Sequence, residues 1–384
     1  MRYRKFGQLD WKVSALGFGC MRLPIKGGDE HIDEPEATHM LHFAIDRGVN
    51  YVDTAYGYHQ GNSERFLGRA LADGYRERIR LATKLPCWLV ESAVDFDRFF
   101  DEQMERLQTD RFDFYLLHAL NKKSWLKVRD LGIIRWAERA MSDGLIGHLG
   151  FSFHDDYPTF VEIVDSYDWT LCQIQYNYMD LTHQAGERGL KYAASKGIAI
   201  VVMEPMLGGK LVDSPERIRR IWERSPRGWS PAGWALQWLW NQPEISVVLS
   251  GMSSIEQVEE NLASAGKSAV GSLTPEEMEL VAQVRRSYRA MGSVPCTGCN
   301  YCMPCPNGVD IPENFRFYNQ SAMYCRFEQT RTEYEYGWAS LGLRASACTS
   351  CRQCEQRCPQ RILISEWMDR VHAELGKDIG RSQV

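Results

Sequence analysis

The chain is predicted to fold as an α/β protein, a closed (β/α)8 barrel followed by a small, mainly helical domain. Three observations carry that prediction. Eight short apolar runs alternate with amphipathic stretches between residue 12 and about residue 265. No run is followed by a G-x-G-x-x-G turn, since GFGCMR after the first fails at its last position. Nine of the 12 cysteines crowd between Cys296 and Cys358.

In order, the runs fall at 13–19, 51–55, 79–85, 111–118, 146–153, 171–177, 199–205 and 245–251. They are mostly continuous rather than alternating, as strands buried on both faces must be. Helical patterns lie between them, at 36–48, 63–74, 96–107, 133–144, 157–167, 187–197, 231–242 and 254–265. Several end in glycine, the residue that caps helices most easily. Eight strand–helix units favour a closed cylinder over an open doubly wound sheet. A further helix is expected from Thr274, with Pro275 in its first turn and Glu277 at the capping-box position. The domain boundary is expected near Gly292–Pro295, giving a barrel over 1–292 and a second domain over 293–384.

Composition bounds the function. A formal net charge of −5 leaves no basic footprint for nucleic acid. No apolar run approaches the roughly 20 residues of a membrane span, and the amino-terminal segment has no apolar core of a secretory signal. A cytoplasmic protein is the expectation. Cys20, Cys87 and Cys172 read as buried core thiols.

Barrel active sites form at the carboxyl ends of the strands. The second, third and fourth runs close there on Asp53, Lys84 and His118, and Tyr58 follows five residues after Asp53. Consecutive strands are neighbours, so these side chains should converge. A free phenol has a pKa of about 10, too high for an efficient acid at neutral pH. A Lys84 ammonium beside Tyr58 is expected to lower it, with Asp53 holding the ammonium and His118 positioning a carbonyl oxygen or relaying a proton. The plainer alternative is an ordinary Asp53–Lys84 ion pair. His39, His42 and His372 sit in helical patterns and read as surface or packing residues. The loops NKKSW after His118 and 211–229 after the seventh run are expected to shape substrate choice, with Trp125, Trp222 and Trp229 as pocket or packing residues.

At these residues the chain resembles the aldo-keto reductase family over about 1–290. The carrying segments are NYVDTAYGYHQGNSERFLGRAL, LATK, DFYLLH, GFS, QIQYN and PAGWALQWLW…ISVVLSGMSSIEQVEEN. The resemblance implies a catalytic tetrad of Asp53, Tyr58, Lys84 and His118, with Tyr58 as general acid. It also implies NADP(H), with NAD(H) as the alternative, extended across the mouth. By position Ser152 and Gln175 would hold the nicotinamide amide, and Gly19, Cys20 and Met21 would line the ribose. Gly208, Gly209 and Lys210 would meet the pyrophosphate, and Met252, Gln257, Glu260 and Asn261 the adenosine end. The chain departs from the family at Phe153, often Asn, at Met203, often an aromatic on the nicotinamide, and at Gln257, often an arginine.

The second cysteine run, Cys348, Cys351, Cys354 and Cys358 followed by Pro359, is C-x2-C-x2-C-x3-C-P, the bacterial ferredoxin spacing. The first, Cys296, Cys299, Cys302 and Cys305 followed by Pro306, has a shortened last spacing. Such runs commonly exchange their fourth ligand. Two [4Fe–4S] clusters are therefore expected, one on Cys296, Cys299, Cys302 and Cys358, the other on Cys348, Cys351, Cys354 and Cys305, with a single cluster as the alternative that the shortened first motif leaves open. Structural zinc, with four ligands in two pairs, fits eight cysteines poorly. Cys325 is expected to be buried, and the aromatic stretch 314–341 to wrap the clusters and dock on the barrel. The arrangement resembles helical two-cluster ferredoxin modules.

The expected function is NAD(P)H-dependent reduction of an aldehyde, ketone or sugar carbonyl, or the reverse. The substrate is then a small carbonyl or alcohol, and the clusters serve electron transfer, with a redox partner protein, or structure. The competing expectation is a nucleotide-sensing docking protein that uses the barrel only as a binding module.

Overall fold

The structure, a computed structural model, describes residues 1–335 and 344–376. An antiparallel hairpin, β1 (Tyr3–Phe6) and β2 (Leu9–Ser14), precedes the barrel strands β3 (Leu16–Gly19), β4 (Tyr51–Asp53), β5 (Arg80–Leu85), β6 (Phe112–Leu120), β7 (Ile146–Phe153), β8 (Leu171–Gln175), β9 (Ala199–Met203) and β10 (Ile245–Gly251). These eight close in the order β10-β3-β4-β5-β6-β7-β8-β9, with parallel pairing. The fold class is thus the one read from the alternation.

The first run breaks in two instead of running through 13–19. Its first half pairs in the hairpin and its second enters the barrel. At the break Ser14 Oγ donates to the Leu16 carbonyl (2.7 Å), and Trp240 Nε1 donates to the Ala15 carbonyl (2.8 Å). The hairpin plugs the amino end of the cylinder. Phe6 and Val13 belong to one buried cluster with Tyr51, Phe114, Leu171, Val201 and Val247, and the Phe6 and Phe114 rings stand 5.0 Å apart. With that end filled, the carboxyl ends of the strands are left to build a site.

The helices around the barrel are α1 (Glu34–Asp46), α2 (Asn62–Ala70), α3 (Val94–Leu107), α4 (Lys122–Asp130), α5 (Ile133–Ser142), α6 (Tyr157–Asp165) and α7 (Gly186–Ser195). Further along the chain come α8 (Glu216–Trp222), α9 (Pro231–Trp240), α10 (Ile255–Ala265) and α11 (Pro275–Arg289). Two segments expected as loops are partly helical. NKKSW opens α4 through a capping box: Ser124 N donates to Asn121 Oδ1 (2.9 Å), and Asn121 N donates to Ser124 Oγ (3.0 Å). The stretch after β9 contains α8. Trp125 is only 1% exposed and packs edge-on against Trp169, so it is a core residue rather than a pocket wall.

Helices α2 and α3 stand behind β5 and share a buried polar network. The Glu64 carboxylate accepts from Thr83 Oγ1 (2.6 Å), Gln103 Nε2 (2.5 Å) and Arg106 Nη1 (3.2 Å), and Gln103 also donates to the Lys84 carbonyl (3.1 Å). The helix pair closes on Gly68, where a Cβ would lie 2.4 Å from the Arg106 carbonyl oxygen. Gly68→Ala must push backbone away from backbone. We expect a loss of about 1–3 kcal/mol, read as a lowered urea midpoint.

The chain divides into two compact units, 1–209 with 229–278, and 210–228 with 279–384. The second unit therefore includes the segment after β9. Within it Tyr288 donates to Ser214 Oγ (2.9 Å), and Arg326 pairs with Asp213 (2.6 Å). Its further helices are α12 (Ile311–Tyr324), α13 (Phe327–Glu333) and α14 (Ile364–Leu375). Val309, Phe315, Tyr334, Ile362, Met368 and Val371 form its core, against which six of the eight cluster-motif cysteines pack. Cys325, expected to be buried, is exposed. It ends α12 in a left-handed turn (φ 53°), which carries its side chain out of the helix's buried face. The last residues of the aromatic stretch, 336–341, lie outside the described residues.

Candidate active site

The barrel mouth gathers the four residues at the carboxyl ends of β4, β5 and β6. Lys84 Nζ donates to Asp53 Oδ1 (2.7 Å), the Thr54 carbonyl (2.6 Å) and the Tyr58 hydroxyl (3.2 Å). An ammonium has three protons, so all three are engaged and its direction is set. Lys84 is fully buried and Asp53 nearly so. The His118 ring meets Tyr58 edge-on (5.9 Å, 81°) and Trp88 on its other side (5.0 Å).

Local backbone irregularity aims these groups. The β6–β7 register shifts between Leu117 and Leu120, and Ala119 takes a left-handed conformation (φ 53°), so His118 sits on a bulge. After Tyr58, His59 and Gln60 are also left-handed (φ 50° and 54°), as is Glu204 after β9 (φ 54°). Strained non-glycine residues persist where the surroundings over-determine them, and they concentrate at functional sites. Here His59 is pinned from both sides: Leu23 N donates to Nε2 (3.2 Å), and Nδ1 lies 2.7 Å from the Asp29 carbonyl.

Electrostatics at the mouth differ from the expectation in one respect. Burial is the larger influence on Tyr58 and raises its pKa; Lys84 opposes it without overcoming it. The phenol is therefore held protonated, not primed toward phenolate. Burial alone would depress the Lys84 ammonium, but Asp53 and Tyr58 outweigh it and raise its pKa. Burial, then Lys84 and His154, push the His118 imidazole well below its ordinary value.

The His118 shift has a consequence for stability. An unfolded histidine takes up a proton near pH 6.5, whereas the folded one resists it. The unfolded state then binds more protons as pH falls, so stability is lost below about pH 6.5. We expect the urea midpoint to fall between pH 7 and pH 5, and this slope to be shallower in His118→Gln.

The cofactor residues named from the sequence fall into distinct settings. Gly19 pairs in register with Asp53 and Gly251. Cys20 is buried and donates its N–H to the Asp53 carbonyl (2.8 Å), whereas Met21 is 52% exposed. Ser152 Oγ accepts from Ala119 N (2.8 Å). Gln175 donates to Asp180 (3.1 Å). Met203 Sδ lies 3.7 Å from Gln173 Nε2. Gly208 and Gly209 both have positive φ after β9. Lys210 lies in the second unit, its ammonium near Glu333 (3.2 Å) and Gln320 (3.3 Å). Met252 is buried, Gln257 Oε1 accepts from Ser253 N (3.0 Å), Glu260 accepts from Ser230 Oγ, and Asn261 donates to Ser250 Oγ (3.1 Å).

Two residues at the mouth went unread in the sequence. Gln173 is 2% exposed beside the Asp53 carboxylate, and both Gln173 Oε1 and Asp53 Oδ2 are buried without a hydrogen-bond partner. The Gln173 side chain acts on the Asp53 carboxyl by hydrogen bonding, opposing the rise in pKa that burial causes. Arg22 reaches Glu204 (3.6 Å) and packs between Gly208 and Gly251, whose added Cβ atoms would meet it at 2.9 and 3.2 Å. That places a guanidinium by the ends of the seventh and eighth barrel strands, where such barrels frequently hold phosphate. Each was hidden by an interior or loop position that local sequence does not flag.

In the second unit Cys296, Cys299, Cys302 and Cys358 line one small pocket with Ile311, Phe315 and Ile364. Cys354 lies within electrostatic reach of Cys348 and Cys305. Among the described residues no three His, Cys, Asp or Glu side chains converge closely enough for a single metal ion. Thiols spread around a cavity suit a polyatomic cluster better than a zinc ion, whose ligands converge on one point. No helix among the described residues is long and apolar enough to cross a membrane.

The family model "Aldo/keto reductase family" matches residues 15–286, and "4Fe-4S dicluster domain" matches 295–363. An uncharacterised oxidoreductase, YqkF, of Bacillus subtilis is 27% identical, covering 73% of this chain and 95% of that protein. L-galactose dehydrogenase of Arabidopsis thaliana is 28% identical over 68% of this chain and 86% of its own length. Among solved structures, the holo form of an aldo-keto reductase from Bacillus halodurans superposes with a TM-score of 0.62 at 28% identity, covering 74% of this chain and 96% of that one.

Proposed function

Since the chain belongs to the aldo/keto reductase family and is an oxidoreductase carrying a 4Fe-4S dicluster domain, we propose that it reduces the carbonyl of a small aldehyde, ketone or sugar with NAD(P)H, or oxidises the alcohol in reverse. The observation that carries this reading is the buried Lys84 ammonium, bonded at once to Asp53 and to the Tyr58 hydroxyl. When bound, the nicotinamide supplies the hydride. The protein's own part is to place a carbonyl oxygen within reach of Tyr58 and to deliver the proton.

Tyr58, protonated at rest, donates from its hydroxyl to the oxygen as negative charge builds there. Lys84 stabilises the phenolate left behind, through a hydrogen bond that strengthens as charge develops. Asp53 keeps the ammonium charged. A neutral His118, whose buried Nδ1 has no hydrogen-bond partner among the described residues, donates toward the substrate oxygen and fixes its direction.

Polar atoms on Gln173 and His118 that are unpaired among the described residues leave hydrogen-bonding capacity for the nicotinamide and carbonyl, with Ser152, at the carboxyl end of β7, beside Gln173. Arg22, Gly208 and Gly209 would meet the pyrophosphate. For the clusters we assign Cys296, Cys299, Cys302 and Cys358 to one [4Fe–4S] centre, and Cys348, Cys351, Cys354 and Cys305 to the other. A cluster passes one electron at a time, so exchange with a redox partner protein is the role we assign to this domain.

The test is anaerobic purification followed by a screen of aldehydes, ketones and sugars against NADPH and NADH oxidation. About eight iron atoms per chain are expected from two cubanes. A protein that oxidises neither coenzyme with any carbonyl, yet binds both, would favour the nucleotide-sensing alternative.

A further inference from the structure

The two cysteine runs differ in their surroundings. The first, with its following turn to Val309, contains no charged side chain. The second, from Cys348 to Leu363, holds Arg352, Arg357 and Arg361 against a single carboxylate, Glu355. That carboxylate is engaged elsewhere, accepting from Ser365 N (2.9 Å) and Ser365 Oγ (2.6 Å). All three arginines are exposed.

Other arginines of this unit close on acids: Arg316 on Glu313, Arg326 on Asp213, Arg331 on Glu328 and Arg344 on Glu335. Among the described residues, Arg352, Arg357 and Arg361 have no such ion pair. Positive charge is thus left standing beside the cluster ligands of a chain whose net charge is −5.

Arg361 lines a groove that runs from Pro295, next to Cys296, to Gln360, close after Cys358. Its far wall is α14, which contributes Trp367 and an exposed Arg370 lying over the Trp367 ring (4.9 Å), along with one acid, Glu366. Leu363 stands in the groove 54% exposed. An apolar contact rimmed by arginines is what a transient protein interface needs: the apolar part excludes water, and the charges steer the encounter.

We propose that this face docks an acidic, one-electron carrier protein. The inference rests on the electron-transfer role assigned to the clusters above, and it adds where the partner sits and what charge it bears. At each encounter one electron leaves the carrier's reduced centre and enters a cluster; no proton moves and no bond forms or breaks. Charge complementarity selects the partner. A carrier rich in Asp and Glu is attracted to the arginine rim, and a basic one is repelled.

The test uses the full chain with clusters reconstituted anaerobically, and an acidic plant-type [2Fe–2S] ferredoxin as probe. Binding is measured by calorimetry at low and high salt, and cluster reduction by stopped-flow absorbance. For the wild type we expect binding that weakens as salt rises. Arg357→Glu/Arg361→Glu should bind on the order of tenfold more weakly or worse and lose most of its salt dependence. Reversal at the exposed barrel residue Arg135 should change nothing. Dithionite should reduce the clusters equally fast in all three proteins; should the double reversal lose its clusters, Arg361→Gln takes its place.

Equal ferredoxin affinity in wild type and rim variant would overturn the proposal. So would a preference for a basic carrier, or rim-dependent binding of a DNA oligonucleotide in place of ferredoxin. Failure of the carbonyl screen with intact ferredoxin binding would instead sink only the barrel chemistry. Clusters that dithionite cannot reduce would sink the electron-transfer role itself.

Discussion

Tyr58→Phe is expected to lower kcat by about 10²–10⁴-fold and to leave coenzyme binding unchanged, as read by quenching of tryptophan fluorescence. The substitution removes one oxygen and keeps the ring against His118, so the mouth retains its shape. It removes the one hydroxyl that, among the described residues, Lys84 is bonded to. Because burial holds the Tyr58 phenol above its ordinary pKa, reduction by the wild type should persist through neutral pH and fail only under strongly alkaline conditions. The oxidative direction, which needs a proton acceptor, should gain from rising pH. A variant that turns over at the wild-type rate would remove the basis of the catalytic reading and favour the nucleotide-sensing one.

Lys84→Met should be more damaging, because it strikes stability and chemistry together. Asp53 is 2% exposed and its Oδ2 already lacks a partner. Without the ammonium, its remaining oxygen loses its ion pair as well. Breaking a buried pair from one side costs about 3–5 kcal/mol, whereas replacing both charges by neutral groups costs far less. The urea midpoint should therefore drop sharply in Lys84→Met and recover substantially in Asp53→Asn/Lys84→Met, while neither variant regains turnover. Equal midpoints for the single and double variants would show that Asp53 takes up a proton or finds another donor.

Much of this molecule is legible one segment at a time. The barrel follows from strands that are apolar on both faces and from helices of matching count. The convergence of Asp53, Lys84 and His118 follows because a parallel barrel puts successive strand ends side by side. The ferredoxin-type spacing, with proline after each run, is a local pattern tied to a local turn. Local pattern is silent where a residue's setting depends on distant chain. Trp125 is a core residue because Trp169 packs against it. Cys325 is exposed because a left-handed turn ends α12 there. Gln173 and Arg22 carry no signature of their own; their interest comes from Asp53, Gly208 and Gly251, remote in sequence.

By itself, then, the sequence determined the cylinder, its polar strand ends and the paired cysteine runs, because each is written in periodicity or spacing over a few residues. Tertiary structure alone decided that the segment after β9 belongs with the carboxyl-terminal unit and that the phenol stays protonated. It also decided that, among the described residues, Arg352, Arg357 and Arg361 stand exposed and without an ion pair beside the second cysteine run. Solvation and charge pairing are sums over everything packed nearby, and no stretch of chain holds that sum alone.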